Sequence, residues 1–200
     1  MWQAKTLTVC LLICLFCLFK VSAQEKEPGA NPPHQLGNPN AKYKLEIFID
    51  FQSPTYAASY KKLDALKAKY PNNILIIFRH FPLDNPAHDK AFLAAKVAES
   101  AGKQGKFWEM YNLLLQNQKT WSTSSSAENM FVNYAKKLLL NVEIFKADLQ
   151  SEEITERINL DLKKARFLKL DSTPTVFLND KELRFEEFSN LEEIISKDNK

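Results

Sequence analysis

In 200 residues the chain carries 27 Lys plus Arg against 24 Asp plus Glu, 45% hydrophobic and 12% aromatic residues, 4 Gly and 3 Cys. That length fits one compact domain with a real core, and that apolar content excludes a disordered chain. The net charge of +3 drops further if Lys5 and Lys20 leave with a leader, so no basic stripe remains and nucleic acid is excluded as a partner.

The first recognisable segment is an apolar run from Leu7 to Phe19, preceded by Lys5 and followed by Val21-Ser22-Ala23. It predicts a secretory signal peptide over residues 1–23, cut after Ala23. A retained anchor is disfavoured, because the run rises only about 20 Å as a helix against a hydrocarbon core of roughly 30 Å. Cys10, Cys14 and Cys17 all lie inside the run, none placed as a lipoprotein cysteine would be. The mature chain, residues 24–200, then holds no cysteine, no thiolate nucleophile and no Cys-metal site. The expectation is an exported protein, periplasmic or extracellular, with no membrane span after cleavage.

Residues 24–41 are rich in Pro, Gly and Asn and are expected to form a flexible tether. Lys44 to Phe51 alternates, with Leu45, Ile47, Ile49 and Phe51 on one face, and predicts a strand. Ser53-Pro54 is an N-cap and first-turn pair, and Tyr56, Tyr60, Leu63, Leu66 and Tyr70 continue at helical spacing until Pro71. The apolar run Ile74 to Phe78 completes a β-α-β opening, which implies a parallel pair. Helical periodicity then holds over 87–101, 105–117, 127–139, 142–149 and 152–167. Thr175 to Asn179 reads as a strand, Glu182 to Arg184 as its returning partner, and Phe188 to Ile195 as a closing helix. The pattern is α/β, a single domain over 42–197 with a helical insertion at about 84–168.

Four stretches carry a family resemblance: HQLGNPNAKYKLEIFIDFQSPTYAASY (34–60), FRHFPL (78–83), QGKFWEMYNLL (104–114) and STPTVFLND (172–180). Together they resemble DsbA-like thioredoxin-fold proteins, the exported thiol–disulfide oxidoreductases, over nearly all of the mature chain. The resemblance implies a thioredoxin-like fold with an inserted helical subdomain. Where that family has Cys-Pro-x-Cys at a helix start, this chain has Ser53-Pro54-Thr55-Tyr56. A helix N-terminus supplies at most about 2 kcal/mol, roughly one and a half pKa units, so Ser53 stays a neutral hydroxyl. An alcohol cannot form a disulfide in any case, and Tyr56 offers no resolving sulfur. Thiol–disulfide exchange is expected to be absent.

By the same resemblance, Thr173-Pro174 matches the cis-proline that faces the redox motif, where the preceding residue pairs with an extended peptide. The implied peptide-binding set is Ser53, Pro54, Thr55, Tyr56, Thr173 and Pro174, with unfolded or extended polypeptide as partner and no cofactor. A chaperone-like role follows from that set. An alternative comes from the kappa-class glutathione transferases and 2-hydroxychromene-2-carboxylate isomerases, in which a Ser-Pro pair sits similarly. There Ser53 and Thr173 would bind glutathione as cofactor, with Ser53 donating to its thiolate. A third reading is a structural scaffold in an envelope complex, with the insertion as interface. Ser53 also serves simply as an N-cap, and Pro174 as a fixed turn. His34, His80 and His88 match no metal-ligand spacing. Asp50 is expected to be a strand-end hydrogen-bonding residue. Phe107, Trp108, Met110, Tyr111, Leu114 and Leu115 are expected to be a core stripe, with Trp121 beside the groove.

Overall fold

The computed structural model describes residues 27–197. The predicted signal peptide therefore lies outside the described residues. Strand β1 spans His34–Gly37 and β2 Tyr43–Ile49, followed by helix α1, Pro54–Lys69, and β3, Ile74–His80. A 3-10 turn at Pro86–His88 leads into α2 (Ala91–Lys103), α3 (Phe107–Gln116), α4 (Gln118–Trp121), α5 (Ala127–Lys137), α6 (Val142–Leu149) and α7 (Glu152–Phe167). The chain closes with β4 (Thr175–Leu178), β5 (Lys181–Leu183), α8 (Phe185–Ser189) and α9 (Leu191–Lys197).

The strands form one mixed sheet in the order β1-β3-β2-β4-β5. β2 and β3 pair in parallel with Tyr43 opposite Ile74, as the β-α-β opening requires. Their inner faces, Leu45, Ile47, Ile49, Ile76 and Phe78, are buried together with Tyr56, Tyr60 and Leu63 of α1 and the Phe107, Met110, Tyr111 and Leu114 stripe of α3. Phe48 packs separately with Phe81 and Ala165. The fold is thioredoxin-like, with the α2–α7 helices set between β3 and β4.

One expectation is corrected. From Gly29 onward the segment expected to be a tether is part of the fold. His34–Gly37 runs antiparallel to β3, with Leu36 packed on the core. Just upstream, the Ala30 N–H donates to the buried Asp161 carboxylate at 2.9 Å, and its carbonyl accepts from Arg79 at 2.6 Å. Asp161 also receives Arg79 Nη1 and the His80 N–H, while Arg79 and Lys164 both reach Glu46. A Pro-, Gly- and Asn-rich composition masks this, because the anchor is two backbone groups meeting charges far along the chain.

Smaller shifts concern helix ends. Residues 87–90 leave the predicted helix, and α2 starts at Ala91 after a turn capped by Asn85. The predicted closing helix is two pieces beginning at Phe185. Helices α2, α5 and α7 share one ending. The N–H of Lys106, Leu140 and Leu170 returns to the carbonyl of Ala101, Ala135 and Ala165, and the preceding residue adopts a left-handed backbone. That residue is Gly105 in α2, Leu139 in α5 and Lys169 in α7, with φ of 75°, 60° and 58°.

Candidate functional site

The site sits where β2 ends and α1 begins. Ser53, with φ −67° and ψ 116°, is the N-cap of α1, its hydroxyl oxygen accepting from the Tyr56 N–H at 3.4 Å, and Pro54 takes the first turn, where a missing N–H costs nothing. The Ser53 hydroxyl donates to the Thr173 carbonyl at 3.1 Å. The Thr173–Pro174 peptide bond is cis. Thr173 Oγ1 accepts from the Asp50 N–H at 2.8 Å, which fastens the β4 approach to the end of β2. Ser53 and Thr173 thus meet across 120 residues of sequence.

Asp50 is buried and hydrogen-bonded at both oxygens. Oδ1 accepts from the Gln52 N–H at 2.6 Å, and Oδ2 from the Leu83 N–H at 2.9 Å and from His88 Nδ1 at 2.6 Å. Burial raises its pKa, against the pull of those two N–H groups and of His88. Gln52 extends the network, donating to Asp89, accepting from the Lys90 N–H, and offering its carbonyl to the Gln118 side chain at 2.6 Å. A buried polar belt therefore ties the start of α1 to the β3–α2 loop and to α4. Sequence reasoning placed Asp50 as a strand-end hydrogen-bonding residue but missed His88, Gln52 and Gln118, since no spacing rule links a strand end to a loop some 38 residues on.

The expected peptide-binding residues divide. Pro54 and Thr55 are exposed, Thr173 and Pro174 half-buried, and together they form an open edge. Ser53 lies beneath it, 3% exposed. Tyr56 does not reach the surface. At 1% exposure it points into the core, and its hydroxyl meets that of Tyr111. Burial raises the pKa of both phenols. Tyr56 is therefore corrected from a peptide contact to a core residue, because its position is four and seven residues before Tyr60 and Leu63 on the buried face of α1. Trp121 is corrected likewise. It is fully buried against Phe131 and donates to the Leu114 carbonyl at 2.7 Å, so it lines no surface.

His34 and His80 also have structural work. Both place Nε2 on Glu99 Oε1, at 2.9 and 2.8 Å, and Arg157 Nε takes Oε2 at 2.8 Å. His34 stacks on Phe107 with ring centroids 3.5 Å apart. Burial pushes the Glu99 pKa up, but the hydrogen bonds from both histidines more than reverse this and hold it well below the usual carboxylate range. Among the described residues no cluster of His, Asp or Glu is arranged to hold a metal ion, and no helix is long and apolar enough to cross a membrane.

Chemically, the Ser53 hydroxyl has its proton committed to a backbone carbonyl, and among the described residues no side-chain base is hydrogen-bonded to it. What the site offers is a fixed edge of backbone and small side chains. A family model described as thioredoxin matches residues 30–197. Among curated proteins, the Na+/H+ antiporter NhaA 1 of Mycolicibacterium gilvum is 33% identical over 153 residues, 76% of this chain but 24% of the antiporter. The chain thus spans about a quarter of the curated relatives it matches. Among solved structures, alpha-DsbA1 of Wolbachia pipientis superposes with a TM-score of 0.72 at 19% identity, covering 84% of this chain and 90% of that one. MdbA, a thiol-disulfide oxidoreductase from Corynebacterium diphtheriae, gives 0.67 at 21%, covering 83% and 92%.

Proposed function

The chain belongs to the thioredoxin family and has the DsbA-like form of its fold, and from that premise we propose that it binds extended polypeptide without covalent chemistry. The edge formed by Pro54, Thr55, Thr173 and Pro174 is the binding surface, in an exported protein. The observation that carries this reading is the Ser53 hydroxyl held on the Thr173 carbonyl, at the helix start where the family's attacking thiol stands. With no cysteine beyond Cys17, neither mixed disulfide nor intramolecular disulfide is available to a substrate in this site. Recognition then rests on main-chain pairing beside the cis-proline, as in strand addition.

An unfolded peptide titrated into isotope-labelled protein is expected to shift the amides of Ser53, Thr55 and Thr173 saturably. Thr173→Arg, which places a long cation on that edge, is expected to weaken binding at least about tenfold. Unchanged binding in Thr173→Arg rejects the surface. Glutathione, reduced or oxidised, is expected to leave the same amides unmoved and to form no adduct. A saturable response to it would favour the glutathione-dependent alternative.

A further inference from the structure

At the other end of α1 lies a cavity of about 430 Å3, bounded by the last turns of α1, the start of α3 and the end of β1. That volume falls in the range of small-ligand pockets, about 300–1,000 Å3. We propose that it binds the ammonium group of an aliphatic primary amine, a lysine side chain included, on the carboxylate of Asp64. This site does not rest on the peptide-binding reading above.

The unusual group is Asp64. It is half-buried and lines the cavity, yet among the described residues nothing donates a hydrogen bond to its carboxylate and no cation lies within ion-pair distance. Other deeply placed carboxylates among the described residues have partners, although Asp148 meets Lys103 through Oδ1 alone and leaves Oδ2 bare. Asp50 accepts three hydrogen bonds, Glu99 three, and Asp161 binds Arg79 and two backbone N–H groups. A carboxylate partly removed from water without a partner is destabilised, and a cation entering the cavity supplies one. Burial also raises its pKa, against the opposing pull of the Lys67 ammonium three residues on. Beneath it the Tyr60 hydroxyl is buried with no partner among the described residues, and the negative charge of Asp64 helps hold Tyr56, Tyr60 and Tyr111 protonated.

The remaining walls fit the body of such a ligand. Leu36, Ile76 and Trp108 are apolar surface. The Trp108 indole nitrogen is already bound to the Gln35 carbonyl at 3.2 Å, so it offers a ligand ring surface, the partner a cation prefers. Asn112 also lines the wall, and its side-chain amide carries an oxygen able to serve as a second acceptor for an ammonium with three donors. Lys67 also lines the cavity and acts on Asp64 through its charge without reaching ion-pair distance, so an entering amine must compete with it for the carboxylate. One carboxylate and one amide suit a point cation better than a planar guanidinium, which asks for paired acceptors.

The test is a titration of the isotope-labelled protein with hexylamine, followed at the Trp108 indole N–H and the Asn112 side-chain amide. Saturable shifts are expected at both, weakened at least about tenfold in Asp64→Asn and partly retained in Asp64→Glu. Hexanoate is expected to be silent. No saturation with hexylamine, equal shifts with hexanoate, or an unchanged titration in a folded Asp64→Asn protein would each overturn the assignment. Running Nα-acetyl-lysine methylamide alongside separates the two sources of the amine, since the tighter of the two amines identifies whether free ligand or peptide side chain is favoured.

Discussion

At the scale of single residues, Ser53 uses its hydroxyl twice, accepting from the Tyr56 N–H as a helix cap and donating to Thr173. The first use was legible from Ser-Pro alone, because capping is local chemistry. The second was not, since it depends on a residue 120 positions away. Tyr56 teaches the reverse lesson: its helical spacing with Tyr60 and Leu63 already placed it inside, and only the analogy with a cysteine motif pointed outward. His34 gives a prediction with a sign. Burial, the leading cause, holds its pKa below the ordinary value of about 6.5 although the Glu99 carboxylate pulls the other way. Below that pH the unfolded chain takes up a proton that the folded chain refuses, so stability is full above about pH 6.5 and falls as pH drops. The urea midpoint is expected to decrease between pH 7.5 and 5.5, and His34→Gln to flatten that slope. A midpoint that rises on acidification rejects this account.

Among the elements, the helix ends show what four glycines in 200 residues entail. A left-handed C-terminal residue suits glycine, and α2 supplies Gly105, whereas α5 must use Leu139 and α7 Lys169. For an L-residue that backbone costs roughly 1–2 kcal/mol, and Leu139 gains no burial to offset it, being 92% exposed. Leu139→Gly is expected to stabilise the fold by about 1 kcal/mol after the entropy that glycine loses, read from the denaturant midpoint. No gain would mean the turn is not strained. The same scarcity explains the reading of α5 in the sequence. With no glycine or proline to stop it, the predicted helix ran on to 139, two residues beyond Lys137. By contrast α1, stopped by Pro71, and α6, capped by Asn141, were legible to within a residue or two. Strand β1 escaped notice because four residues, His-Gln-Leu-Gly, are too short for alternation to stand out from a Pro- and Asn-rich surrounding.

For the whole molecule, the order of the longer elements from β2 onward was readable because each carries its own period, and the β-α-β opening fixes how its two strands pair. The charged assembly behind the sheet was not readable. Glu46, Arg79, Asp161 and Lys164 come from β2, β3 and α7, and only the folded chain brings them together. Asp161→Ala would leave Arg79 one partner short and two buried N–H groups bare, at an expected cost of about 3–5 kcal/mol. Thermal unfolding of the variant measures it, and a loss under 1 kcal/mol would mean that water replaces the carboxylate. The Ala30–Asp161 contact spans 131 positions, and this sets an order of events in time. Ala30 must wait for α7 before it is anchored, so a growing chain leaves the segment before β1 without this tie for most of its synthesis, although β1 and β3 are already made. Non-local closure of this kind slows folding. A chain stopped before residue 161 holds every residue of the β1–β3 pair and still lacks the tie that fastens the approach to β1.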